Sequence, residues 1–362
     1  MNGRVVVVGA GIGGLTTAAV LARHGVSVDV LERRPGLPDQ GTALGMWPAA
    51  VRALDGAGLG DELRRLAFPQ TQGWIRRRDG APLARIDVRE PTYLISRPPL
   101  LRLLHRSVPA GAVSFGAAVD RLDQLSGYDV VVLADGSRSR LRDELWGARA
   151  RPRPLPLRVW RGTLPGGRST TAESWGPGAL WGLTPREDGR TNWFACVHHD
   201  VAADRWDLGF LGEVYGDWHH EVRDAVAGVT ADGAGGEPVL VHELTQSPRL
   251  PTYVSRRVAL VGDAAHTMAP NLGRGACEAI LDGVALGRAL VDHPGGADAL
   301  RAYDRARRRP SRRVVRGAAL VSRVALARRG TGPRDAALRA ASWLSPRRSR
   351  RARSADGQGG GR

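Results

Sequence analysis

The chain contains no lysine, so all 53 of its basic side chains are arginine. Chemistry that needs a side-chain amine is thereby excluded. No Schiff base can form on the protein, and no Walker-type lysine can hold a nucleotide's phosphates. Cysteine is nearly as scarce. Cys196 and Cys277 alone are too few for a disulfide framework, which points to a reduced compartment and a cytoplasmic location. Aromatic residues make up only 5% of the 362, yet ten of them are Trp. Long apolar runs are missing too, so no membrane span is expected. The one stretch that could imitate a targeting segment, Arg4 to Ala22, holds Gly9, Gly11, Gly13 and Gly14 and lacks a cleavage region before Arg23-His24.

Acidic residues are short at one end only. The formal net charge is +17, but residues 301–362 carry 19 Arg against 3 Asp, while residues 1–300 carry 34 Arg against 33 acids. The body is near neutral and offers no basic surface for specific nucleic-acid binding. The Arg run 305–316 reads as a solvated helix face. Hydrophobic content of 42% and charged content of 25% are ordinary for a globular chain with a full core.

What is present is concentrated in two glycine-rich segments. Residues 4–8 (RVVVV) form a β-branched run suited to a strand buried on both faces. GAGIGG follows, then LTTAAVLARHG with helical apolar spacing and a stop at Gly25, then the strand VSVDVL ending at Glu32. In this strand–turn–helix–strand unit Gly9 permits the tight turn, Gly11 lets the backbone approach a pyrophosphate, and Gly14 lets the helix pack on the strand. The helix N-terminus offers free N–H groups and a positive dipole. Glu32 can accept from both ribose hydroxyls and would repel a 2′-phosphate, which argues against NADP at this site.

The second segment is LVGDAAHTMAPNLGRGACEAILDG, residues 260–283. A buried strand, read over 257–266, runs into Gly262-Asp263, where Asp263 can hydrogen-bond a polyol. Pro270, Gly273 and Gly275 then lead into a helix over 276–292, whose N-terminus is aimed near the first site. His266 reads as a packed or capping residue and Cys277 as a small buried group. Between the two segments the pattern predicts helical pieces within 41–66, a hairpin over 72–88 around Asp79-Gly80, and a helix over 97–108 with proline in its first turn. A buried strand is predicted within 128–136, and several antiparallel strands over 158–215. Six Trp fall between 160 and 218. Trp175, Trp181 and Trp193 are the candidates for lining a flat aromatic pocket.

Three motifs in this order resemble those of the group A flavin-dependent aromatic hydroxylases, the para-hydroxybenzoate hydroxylase-like FAD monooxygenases. The resemblance runs to about residue 320. GAGIGG with Glu32 is similar to the family's ADP-binding fingerprint, which assigns Gly9, Gly11, Ile12, Gly13, Gly14, Glu32 and Arg33 to the cofactor. ADGSRSRLR (134–142) resembles its middle motif through Asp135, Gly136, Ser139 and Arg142. GDAAHTMAPNLGRG resembles its third, implying Asp263 on the ribityl chain, Pro270 beside the isoalloxazine, and Gly273 and Gly275 in the same turn. ISRPPLLRLL is similar to the family's arginine-led helix and implies Arg97 near the flavin. Trp160-Arg161-Gly162 resembles a strand start of relatives. The chain departs from the pattern at Arg274, where GQG is usual, and at Leu281, where an acid is common.

The resemblance implies an α/β fold. A Rossmann-like FAD-binding domain with a parallel sheet would be interleaved with an antiparallel-sheet substrate domain and followed by C-terminal helices. The implied division places FAD-binding parts at 1–70, 97–157 and 251–298, and a substrate-domain hairpin at 71–96. It places the antiparallel substrate domain at 158–250; beyond it the sequence pattern itself reads as C-terminal helices at 299–345 and, from its low complexity, a disordered Arg/Gly-rich tail at 346–362. The implied cofactor is tightly bound, non-covalent FAD. NAD(P)H would bind only transiently, since no second nucleotide fingerprint is visible. The implied reaction is O₂-dependent hydroxylation or epoxidation of a small aromatic or polycyclic substrate through a flavin C4a-hydroperoxide. In that reaction the protein excludes water and positions the substrate. No residue is assigned as a nucleophile or a metal ligand, and Pro270 is the flavin-facing candidate. The same fold also admits a flavin-dependent reductase or a non-enzymatic binding protein.

Overall fold

The computed structural model describes residues 3–202, 205–231 and 238–344; the tail expected at 346–362 lies outside them. In chain order the first third comprises β1 (Val5–Val8), α1 (Ile12–Arg23), β2 (Val28–Glu32), β3 (Ala43–Met46), α2 (Pro48–Gly56), α3 (Gly60–Leu66), β4 (Phe68–Arg77), β5 (Pro82–Ser96), α4 (Arg97–Arg106) and β6 (Val113–Phe115). The middle holds β7 (Val130–Leu133), α5 (Arg140–Trp146), β8 (Arg153–Leu164), β9 (Thr171–Gly176), β10 (Ala179–Pro185), β11 (Thr191–His198), α6 (His199–Ala202), α7 (Gly209–Tyr215) and α8 (His220–Ala231). The last part is β12 (Leu240–Gln246), β13 (Val254–Ser255), β14 (Val258–Leu260), α9 (Asp263–His266), α10 (Gly275–Asp292), α11 (Gly296–Ala325) and α12 (Thr331–Leu344).

These strands make two sheets. The first has the order β13-β14-β7-β1-β2-β6 and is parallel except for the short β13. Every residue of β1 and β7 is buried, because helices cover both faces and a parallel sheet leaves no wet side. The second sheet has the order β12-β8-β11-β10-β9-β4-β5-β3, antiparallel except where β4 meets β9. The hairpin expected around Asp79-Gly80 is present, and its arms reach back to Phe68 and on to Ser96.

Two expectations are corrected. The antiparallel strands read over 158–215 end at His198, and Gly209–Tyr215 is helical. Phe210, Leu211 and Tyr215 bury one helix face, but Gly209, Gly212 and Gly216 hide the period among what read as turn signals. The strand read over 257–266 is only Val258–Leu260, because Gly262 takes φ +59° and starts a new helical turn at Asp263.

Candidate functional site

Four parallel strands deliver the sequence motifs to one edge of the first sheet. Gly9 follows β1, Glu32 closes β2, Ala134-Asp135 follows β7, and Gly262-Asp263 follows β14. Because the strands are parallel, these carboxyl ends share a side, which is where open α/β sheets bind ligands. The turns are fitted to one another. A Cβ on Gly14 would lie 2.1 Å from the Gly9 carbonyl oxygen and 3.0 Å from Val7, so no side chain fits there. At Gly11 the nearest atom to such a Cβ is 3.8 Å away, so the backbone faces open space.

Helices α1 and α10 run parallel. Gly13 packs on Ala279, Gly283 on Thr16, and Gly287 on Val20, with gaps that admit no Cβ at 283 or 287. Both N-termini therefore point to the same side. Helix α10 starts three residues further out relative to this contact, or about 5 Å at 1.5 Å per residue. Neither N-terminus has a side-chain cap. Their free N–H groups and dipoles are thus both available to negative charge.

The charged side chains of this edge are arranged around a cleft. Glu32 accepts from the Ala10 N–H at 2.8 Å and the Arg34 N–H at 2.9 Å, which fixes its carboxylate. Asp135 has an unpartnered buried Oδ1. Burial raises its pKa to about 6, against the opposing effects of Ser139, Arg142 and Arg33. Arg97 and Asp263 both keep exposed surface, yet burial lowers the Arg97 pKa and Asp263 partly restores it. A side chain that is surrounded by protein and still open to solvent lines a cleft. Arg33 is exposed, Ile12 is buried, and Pro270 and Gly273 present exposed surface just before α10.

Behind the cleft lies a network that holds the Gly262 turn. Asp282 is fully buried. Its Oδ2 accepts from the Gly262 N–H at 2.9 Å and from His266 Nε2 at 2.5 Å, and its Oδ1 from Arg307 Nε at 2.7 Å. Arg307 also donates to Glu278 at 2.6 Å, and Glu278 accepts from Arg274 at 2.9 Å. Burial acts to lower the His266 pKa, but the Asp282 carboxylate overrides it and the net shift is upward. His266 is thus packed and ion-paired, and Cys277 is buried with its thiol donating to the Gly45 carbonyl. The solvated face expected for 305–316 holds for Arg305, Arg309, Arg313 and Arg316, but Arg307 points inward.

Trp181 and Trp193 are not brought to this cleft. Their rings stack at 5.0 Å and 4° on the face of the second sheet that α7 and α8 cover, with Phe210, Tyr215 and Trp218. Trp175 lies on the opposite face but is buried against Leu180, Cys196 and the end of α11. The expectation of a Trp-lined pocket is therefore corrected. The sheet is apolar on both faces, and of the helices that claim one of them α7 lies within the segment read as strands. Arg161, Thr163, Asn192 and Phe194 of β8 and β11 share the other face, which strand alternation separates from Trp160 and Trp193; on it Phe194 packs beside Trp175 and the end of α11. The sequence assigns no role to Arg161 or His242, although the Trp160-Arg161-Gly162 likeness includes the first; Glu278 lies within the second glycine segment and Arg307 within the Arg run, but neither is singled out there.

Known proteins match this architecture. A family model described as an FAD binding domain matches residues 2–124 and 222–318. The chain is 33% identical over 337 residues to a 3-amino-4-hydroxybenzoate 2-monooxygenase of Streptomyces cremeus, covering 83% of this chain and 82% of that protein. It is 30% identical over 333 residues to an FAD-dependent urate hydroxylase of Klebsiella pneumoniae subsp. pneumoniae, covering 83% and 85%. Among solved structures, a single-residue variant of Klebsiella pneumoniae HpxO complexed with FAD superposes with a TM-score of 0.83 at 25% identity, over 94% of this chain and 95% of that one.

Proposed function

The chain belongs to the FAD-dependent aromatic monooxygenases, and from that premise we propose that it hydroxylates or epoxidises a small aromatic or polycyclic molecule held between the first sheet's carboxyl edge and the Arg161 face of the second. The cofactor is FAD and the reductant NAD(P)H. When bound, FAD supplies the passage of electrons from the nicotinamide to O₂ and the insertion of one oxygen atom into the substrate.

The residues present suit that group. The Gly9–Gly14 turn and the α1 N-terminus take the pyrophosphate, and Glu32 takes the adenosine ribose. Asp263 takes the ribityl hydroxyls. The unpartnered Asp135 oxygen would accept from a donor of the cofactor, and the uncapped α10 N-terminus would favour negative charge on it. Arg97 and Pro270 would help to hold its ring. No helix among the described residues is long and apolar enough to cross a membrane. The two free, buried cysteines support a cytoplasmic location.

The observation that carries this reading is the convergence of four strand ends and two parallel, uncapped helix N-termini on one cleft. The test is the visible spectrum of the purified protein. It is followed by substrate-stimulated NAD(P)H oxidation with O₂ uptake across phenols, hydroxybenzoates, polyketides and indoles. A yellow protein whose NAD(P)H oxidation yields an oxygenated product is expected. A colourless protein that FAD does not reconstitute overturns the reading, and oxidation without oxygen incorporation replaces it with a reductase.

A further inference from the structure

We propose that the outward stripe of α11 docks the enzyme on the surface of a bilayer rich in anionic lipids, as a peripheral contact. The docking goes beyond the monooxygenase reading and does not depend on it.

Arg305, Arg309, Arg313, Arg316 and Arg323 are all exposed on α11. Their spacing in steps of four, four, three and seven residues lines them up along one side of the helix. Leu320 and Val324 fall on the same side and are 61% and 38% exposed; Leu320 is the most exposed large apolar side chain among the described residues. From Arg305 to Val324 the stripe runs about 30 Å at 1.5 Å per residue. The opposite side of the helix is buried against the protein through Arg307, Ser311, Ala318, Ser322 and Ala325.

No acid answers this charge. The chain has no Asp or Glu between Asp304 and Asp335, and Asp304 pairs with Arg308. Among the described residues the ion pairs of this helix use Arg301, Arg307 and Arg308, and none of the five. Burial lowers the pKa of Arg312 beside them, and repulsion from Arg249, Arg308 and Arg316 adds to it. A row of like charges repels itself until counter-charge arrives.

Salt ions would relieve the charge but give no place to Leu320 and Val324. An anionic leaflet answers both. Headgroups meet the guanidiniums, and the aliphatic side chains and arginine stems enter the boundary above the acyl chains. Clusters of about four to eight basic residues on a helix face are attracted to such a surface. A folded protein partner fits less well. Protein interfaces are anchored by buried aromatic side chains, and the chain has no Trp, Tyr or Phe between Tyr303 and Trp343. The stripe also lies beside the cleft, since a Cβ on Gly317 would come 3.6 Å from Leu272, in the turn that opens α10. Docking therefore brings the cleft to a surface where apolar ring compounds collect; only this consequence rests on the monooxygenase reading.

The experiment sediments the full chain with vesicles of phosphatidylcholine alone or of equal parts phosphatidylcholine and phosphatidylglycerol. Binding to the mixed vesicles only, released by raised salt, is expected. The combined variant Arg309→Gln, Arg313→Gln, Arg316→Gln is expected to raise the Kd at least about tenfold and keep the wild-type FAD content. A control of equal net charge, Arg89→Gln, Arg102→Gln, Arg149→Gln, removes exposed arginines elsewhere and is expected to bind as the wild type does. Because Cys196 and Cys277 are buried, an environment-sensitive dye can be placed through Leu320→Cys, and its emission is expected to shift to the blue on the mixed vesicles. A wild type that ignores the mixed vesicles overturns the proposal and needs no variant to fold. An equal loss in the control overturns it as diffuse attraction, and so does an unshifted dye on bound protein. Removing residues 345–362 should weaken binding less than the stripe variant does; a greater loss assigns the attraction to those residues and overturns it. Binding of polyglutamate or duplex DNA through the same arginines, without vesicle binding, replaces the bilayer with an acidic protein or a nucleic acid.

Discussion

Replacing Asp282 with Asn tests whether the buried network behind the cleft holds the Gly262 turn. Asp282 accepts three hydrogen bonds, from Gly262, His266 and Arg307, the last two making ion pairs. Breaking a buried ion pair by removing one partner typically costs about 3–5 kcal/mol. The lower end applies here. Arg307 keeps Glu278, His266 can release its proton, and the asparagine oxygen can still accept from the Gly262 N–H. A loss of about 3 kcal/mol in urea unfolding of the FAD-free protein is therefore expected.

The loss should depend on pH with a definite sign. The folded-state pKa of His266 is raised above the unfolded 6.5. Its contribution is full below about 6.5 and fades as pH rises through the folded value. Asp282 is shifted down, since His266 and Arg307 outweigh burial, so its contribution is intact throughout this range. The gap between wild type and Asp282→Asn should thus be wider at pH 6 than at pH 9. A loss below about 1 kcal/mol, or a gap that widens with pH, would refute the assignment of an ion pair at this position.

Other perturbations address the cleft and its surroundings. Gly14→Ala forces a Cβ against the Gly9 carbonyl, so the purified variant should lose most of its FAD and about 1–3 kcal/mol of stability; normal flavin content would show that the turn has slack. Asp135→Asn should raise the Tm of the FAD-free protein at pH 8 and leave it unchanged well below pH 3.8, because the folded pKa of about 6 lies above the ordinary 3.8, so the carboxylate destabilises progressively between those two values and fully above the higher one. Thermal melts across the range check the sign. Trp193→Ala should cost about 3–5 kcal/mol in urea unfolding and leave ligand-induced flavin shifts intact, whereas lost ligand binding at unchanged stability would return Trp193 to the pocket.

The first strand–turn–helix–strand unit was legible because its constraints are local. Gly9, Gly14 and Glu32 lie within one strand–turn–helix–strand unit, and each is demanded by backbone approach or by hydrogen bonding over a few residues. The second glycine segment was legible for the same reason, although its strand proved shorter. The pocket was not legible, because it depends on which face of the second sheet is covered. Strand alternation separates Trp193 from Phe194 by one residue, and only the placement of α7 and α8 decides which of them meets the cleft. Arg161 and His242 lie 81 residues apart in sequence and share a site only through the pairing of β8 with β12.

The departures at Arg274 and Leu281 acquire a physical reading from the same network. Arg274 stands at the cap of α10 and reaches Glu278 four residues on. Glu278 is almost fully buried and would be a liability alone, but it is shared between Arg274 and Arg307. Asp282 is shared in turn between Arg307 and His266. The two buried acids of α10 are thus matched by two arginines and a histidine supplied by three separate elements. Leu281, next to Asp282, adds no further buried charge to be matched. Of the two arginines, Arg274 is partly exposed and Arg307 nearly buried. The first therefore tolerates exchange for a neutral side chain, while the second holds α11 against the turn that presents Asp263 to the cleft.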